Sequence, residues 1–283
     1  MSVQEYATSV RKYAADLRSS WNWHGIKLVS LLVYLSMFVP LAIVVINSFN
    51  PQRIAGFPPE SLTLYWYYEF FEDELFLNSV WVSTKVGVAA ALLSGAVGTL
   101  TALGFVRKRF PLKKGLAIAL LTPMIVPPVI VGVAATIFFV EIGWDRSIWW
   151  LIVMHTLIAL PYTFLIIRSR LFLFDETLED AAMTLGADRV TTFREVTFPL
   201  VAPAILTAMV LAFVISFGEF TATQFWVQRD TTTVPVVIFS MVRTTITPKV
   251  NVLATLVLVI TIAVPILALA LQWALRKRHT SGR

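Results

Sequence analysis

Of the chain's 283 residues, 57% are hydrophobic and 14% charged, against about a quarter charged in an ordinary soluble domain. That balance excludes a soluble fold of this length, which would lack polar surface. The net charge of +6 does not point to nucleic acid, because the basic residues sit in short segments between apolar runs rather than interleaved with aromatics. There is no cysteine, so disulfides and thiolate metal sites are excluded.

The N-terminal segment, residues 1–26, places Val3, Tyr6, Val10, Tyr13 and Leu17 at alternating spacings of three and four, with Arg11, Lys12 and Arg18 elsewhere on the wheel. This pattern predicts an amphipathic helix. It lacks the features of a cleaved secretory signal and is expected to be retained, with Trp21 and Trp23 at the headgroup level. Six apolar stretches follow: Lys27 to Ile46, Val80 to Val106, Gly115 to Val140, Ile148 to Ile167, Val201 to Val227 and Val250 to Leu275. Each is long enough to cross a bilayer as a helix, which takes about 20 residues. The runs are too continuous for barrel strands. The expected fold is therefore all-α and integral to the membrane, with one membrane domain over residues 27–275 and a short tail over 276–283.

Alternate connections carry 17 of the 23 Lys and Arg residues, and the opposite set carries six. The positive-inside rule then puts both termini in the cytoplasm. Prolines at positions 40, 123, 127, 128, 161 and 265 fall inside spans, where each is expected to bend or break its helix. Gly87, Ala91 and Gly95 recur every four residues, with Ser94 and Gly98 one face over. This spacing predicts close helix packing, within the subunit or across a dimer.

The fourth connection, residues 168–200, is too long for a simple link and must fold. Thr177 and Asp180 are spaced as a capping box, a short helix runs through Asp180-Ala181-Ala182 to Leu185, and Gly186 suits the left-handed turn that ends it. Asp188 is placed to cap a second short helix carrying Phe193 and Val196, closed by Pro199. In the fifth stretch, Ser216, Glu219 and Thr223 share one face at i, i+3 and i+7, with Gln224 close by. A buried carboxylate is expensive in a membrane and so marks a functional candidate. The stripe suits a hydrophilic, cationic solute; the competing reading pairs Glu219 with a basic group of a partner subunit. His155 is expected to be a satisfied interhelical hydrogen-bonder, and with His24 and His279 far off near the ends no metal site is expected.

The run Asp180-Ala181-Ala182, Gly186 and, after nine intervening residues, Val196-Thr197-Phe198-Pro199 resembles the signature loop of permease subunits in binding-protein-dependent ABC importers. The usual form is Glu-Ala-Ala, three residues, Gly, nine residues, Ile, any residue, Leu-Pro. Within that family the chain is similar to the second membrane subunit of the spermidine/putrescine type, through Asn47-Ser48-Phe49-Asn50, Phe198-Pro199-Leu200, Ser240-Met241-Val242, Pro248, Val250 and Asn251. One departure bears on the solute: where polyamine permeases commonly carry two adjacent acids, this chain has Gly218-Glu219.

The resemblance implies the six-helix, type I, MetI-like permease fold in a bacterial inner membrane. It implies a coupling helix at Asp180, Ala181, Ala182 and Gly186, closed off by Pro199, that seats in a groove of a separate ATPase. It also implies a second permease subunit, a different chain in a heterodimer or another copy of this one, and a periplasmic or extracellular solute-binding protein. The chain has no Gly-Lys-Ser or Gly-Lys-Thr phosphate loop, so ATP and Mg are expected on an ATPase dimer. No cofactor and no catalytic residue are expected here. A polyamine or related cation is the expected solute, with an amino-acid derivative, a phosphonate or an anion as alternatives. A secondary transporter or channel would call for inverted repeats, and a membrane enzyme for clustered reactive groups. Neither is legible.

Overall fold

The computed structural model describes residues 8–9, 23–52, 57–244 and 247–281, and every regular element among them is helical. The long elements are α1 (Trp23–Asn47), α3 (Glu74–Arg107), α6 (Ile148–Phe172), α9 (Phe198–Gly218) and α11 (Lys249–Ser281). Shorter ones are α2 (Tyr65–Glu72), α4 (Lys113–Ile125), α5 (Pro128–Glu141), α7 (Thr177–Thr184), α8 (Arg189–Thr192) and α10 (Val234–Thr244). Apart from residues 8 and 9, the expected N-terminal amphipathic helix lies outside what is described, as do the rings of Trp21 and Trp23.

Among the described residues five helices are long and apolar enough to cross a membrane, and the bent pair α4 and α5 makes a sixth if taken together as one broken span. The third stretch breaks at its prolines, as expected, turning by 108° between α4 and α5. The cause is the adjacent pair Pro127-Pro128. A residue before proline is driven to extended backbone, and Val126 and Pro127 both have it, with ψ 130° and 133°. Two successive missing N–H groups end the first helix, and Pro128 restarts the second at its first turn. Isolated prolines at 40, 123, 161 and 265 sit inside continuous helices. One missing hydrogen bond is tolerated within a bundle.

The centre is a triad of α3, α6 and α9, and its crossings use the small residues of α3. A methyl added at Gly98 would lie 2.6 Å from Thr163 Oγ1 of α6, one at Gly95 2.5 Å from Met209 Cγ of α9, and one at Gly87 3.0 Å from the Phe213 ring. The glycine spacing therefore serves packing within the subunit. Lipid tails are as apolar as leucine, so helices associate by close approach and interhelical hydrogen bonds. Thr163 adds one such bond by donating to the Ser94 carbonyl at 2.9 Å. By contrast, α1 buries none of its span and rests beside α11.

At the end of the bundle where α3 begins, Ser48 bonds the Tyr67 hydroxyl at 2.7 Å and the Trp66 indole N–H donates to the Asn50 carbonyl at 2.8 Å. The Asn47-to-Asn50 turn thereby anchors α2. Lys249 of α11 pairs with Glu69 at 3.1 Å and Asp73 at 3.7 Å, closing the same end.

Candidate functional site

The connection between α6 and α9 folds into a helical elbow at the other end of α3. Its first helix is capped by Asp175, whose carboxylate accepts from the Thr177 backbone N–H at 3.0 Å and the Thr177 hydroxyl at 2.8 Å. The expected Thr177/Asp180 capping box does not form, because Thr177 turns its hydroxyl back to Asp175. Gly186 adopts φ +97°. The N–H of Ala187 returns to the carbonyl of Ala182 at 3.1 Å, the closing bond of a Schellman turn. Nothing lies within 4 Å of a methyl at Gly186, so the need for glycine there is conformational.

Asp188 caps α8 as expected, accepting from the Thr191 N–H at 2.8 Å. The second short helix is not closed by Pro199. Pro199 cannot donate to the carbonyl one turn back, and the chain widens into a π-helical turn over Phe193–Thr197, with the Phe198 N–H bonding the Phe193 carbonyl. The elbow therefore runs without interruption into α9. Asp180 and Ala181 are exposed, Ala182 is half-buried, and Leu178, Met183, Leu185 and Val190 present an apolar outer surface.

Sequence reasoning missed what holds the elbow. Arg107, the last residue of α3, reaches Glu176 and lies 3.0 Å from Glu179. Thr197 donates its hydroxyl to the same Glu179 carboxylate at 2.5 Å. In the sequence Arg107 is one of the 17 basic residues that set the topology, and no local spacing links it to residues about seventy positions away.

The second group lies along the fifth stretch, where the helix ends nine residues earlier than expected. Gly218 is the last residue of α9, and Glu219 is extended with ψ 119°. Its carboxylate accepts from the Ala222 N–H at 2.6 Å and starts a tight turn through Thr223–Phe225. The shared helix face expected for Ser216, Glu219 and Thr223 therefore does not exist. Instead, buried His155 of α6 bonds Ser216 through Nδ1 at 2.7 Å and Thr223 through Nε2 at 3.0 Å. A neutral imidazole has one donor and one acceptor, and a hydroxyl takes either role, so all three groups are satisfied. His155 is the interhelical hydrogen-bonder expected of it.

The turn seats on α5 through Trp226, which is fully buried and donates to the Gly132 carbonyl at 2.9 Å. Glu219 remains partly exposed and Gln224 exposed. Of the four expected pathway residues, these two are open while Ser216 and Thr223 are enclosed. A cavity of about 610 Å³ in the crook of the broken span is lined by Ala119, Pro123, Ile130, Phe138, Met154 and Leu157 among others. Its lining carries no charge, which does not suit a hydrophilic solute.

Comparison with known proteins gives a consistent result. The family described as binding-protein-dependent transport system inner membrane component matches residues 87–278. The chain is 33% identical over 237 residues to the spermidine/putrescine transport system permease protein PotC of Haemophilus influenzae, covering 84% of this chain and 92% of that one. It is 32% identical over 253 residues to the putrescine transport system permease protein PotI of Escherichia coli K12, covering 86% and 87%. Among solved structures, a chain of a bacterial ABC transporter involved in import of the acidic polysaccharide alginate superposes with TM-score 0.71 at 14% identity, covering 94% of this chain and 99% of that one. At that identity the likeness concerns the fold.

Proposed function

This chain belongs to the family of binding-protein-dependent transport system inner membrane components, and from that premise we propose what it carries and how it is driven. It is a multi-pass permease subunit of an ATP-binding-cassette importer. The solute is a polyamine or a related small cation. Two relatives named for putrescine or spermidine support this, as does Glu219, a partly exposed carboxylate where the spanning helix α9 ends.

The observation that carries the mechanism is the elbow. An exposed helix of Asp180, Ala181 and Ala182, ended by Gly186 at φ +97° and continuous with α9 beyond Pro199, is a projecting lever with an apolar tip. It docks on an ATPase dimer that holds ATP and Mg, and nucleotide-driven closure moves α9 directly. The permease domain spans 27–275, with its coupling loop at 168–200. It pairs with a second, different permease subunit, and a solute-binding protein delivers cargo from the opposite side. Residues 1–26 and 276–283 face the cytoplasm of a bacterial inner membrane.

Replacing Gly186 by Lys tests the mechanism. The expected result is normal insertion and normal co-purification of the second permease, with ATP hydrolysis no longer yielding putrescine uptake in proteoliposomes. Wild-type uptake in that variant would reject the docking role. The solute assignment is tested separately by Glu219→Gln, for which unchanged putrescine uptake in a fully assembled complex would exclude a substrate role.

A further inference from the structure

We propose that Arg107 is a positioning residue for coupling, the clasp that makes the elbow and the core triad move as one body. The inference rests on the docking role given to the elbow above. The first elbow helix, α7, buries no residue. Between the elbow and the core lies a cavity of about 310 Å³, lined by Leu103, Arg107, Glu179, Met183, Thr192 and Thr197 among others. Apolar packing therefore does not seat this helix, and a force applied at its tip needs another route into the bundle.

The polar contacts supply that route. Glu179 projects from α7 and takes two charge-assisted hydrogen bonds on one oxygen, from Arg107 at 3.0 Å and from Thr197 at 2.5 Å. Arg107 ends α3, while Thr197 closes the π turn that leads into α9. One carboxylate thus joins the lever to two of the three central helices. The Arg107 side chain is only 17% exposed, and its guanidinium stacks 5.4 Å over the Phe174 ring and spans Glu176 as well. Such a planar fork holds two carboxylates in fixed directions, which an ammonium does not. Glu179 is equally shielded, whereas Glu176 is mostly in solvent and contributes less.

The test uses the assembled importer in nanodiscs and proteoliposomes, with Arg107→Ala, Glu179→Gln and Thr197→Val, and Arg107→Lys as the conservative variant. Two quantities are read: hydrogen exchange of segment 177–187, which needs no solute, and labelled putrescine taken up per ATP hydrolysed. Losing one charge-assisted hydrogen bond predicts about tenfold faster exchange. Coupling networks of this kind predict a loss of transport per ATP of roughly 2- to 30-fold, and Arg107→Lys should recover part of both. Faster exchange with wild-type transport per ATP would reduce the clasp to a structural role and overturn the proposal. So would unchanged exchange in Arg107→Ala while Gly186→Lys still uncouples. If neither Arg107→Ala nor Gly186→Lys alters transport per ATP, the docking role itself is wrong. Should Arg107→Ala fail to assemble, Thr197→Val, which keeps shape and removes one hydroxyl, decides the same question.

Discussion

The elbow and the turn after Gly218 are both polar interruptions between spanning helices, yet the first helix of the elbow fully buries no residue while the turn encloses Ala222, Thr223 and Trp226 completely. The elbow is shaped by backbone rules, two aspartate caps and one left-handed glycine, and its outward side chains are left available for a partner. The turn is shaped by tertiary partners, His155 of α6 and the Gly132 carbonyl of α5. Damage at the elbow should therefore be functional, and damage to the enclosed side chains of the turn structural.

The largest effect is expected at the turn. His155→Leu would strand the buried Ser216 and Thr223 hydroxyls, at about 1–3 kcal/mol each, and should lower the melting temperature in detergent far more than His155→Gln. An unchanged melt would erase the contrast. Next, Gly132→Ala would push a methyl to 3.0 Å from the Ala222 backbone, an overpacking of about 1–3 kcal/mol. Gly95→Ala should cost less, because the atoms it meets belong to the flexible Met209 side chain.

At the elbow, Gly186→Ala meets no neighbour and carries only a left-handed penalty of about 1–2 kcal/mol. Uptake should fall while the global melt stays within error. The smallest effect concerns pH. The Thr177 hydroxyl, and then its N–H, holds the Asp175 carboxyl below the ordinary aspartate range, and Thr191 does the same for Asp188. A lowered folded pKa stabilises above the ordinary range and is lost as pH falls through it. Pepsin cleavage within residues 177–192 should therefore quicken below about pH 4, and Asp175→Asn with Asp188→Asn should flatten that dependence.

Much of the elbow was legible in sequence, because Gly186 and Asp188 act on backbone within a few positions of themselves. Even there Asp175 took the capping role expected of the Thr177/Asp180 pair, since a carboxylate two residues upstream reaches the same N–H. The shared helix face of Ser216, Glu219 and Thr223 was read wrongly for a different reason. Apolar periodicity continued past Gly218, and nothing local announced that Glu219 would leave the helix to bond Ala222. The double proline at 127 and 128 was visible as a break, but not its 108° angle.

By itself the sequence determined the membrane environment, the apolar stretches that supply the long helices, the glycine register that lets α3 approach its neighbours, and the loop that marks the family. These follow from apolar length, from charge placement and from backbone freedom at single residues. Only the tertiary structure decided where α9 stops, which hydroxyls His155 satisfies and how Arg107 ties the elbow to the core. A buried polar group must find its partner wherever the fold brings one, and here the partners lie about sixty to seventy residues apart along the chain.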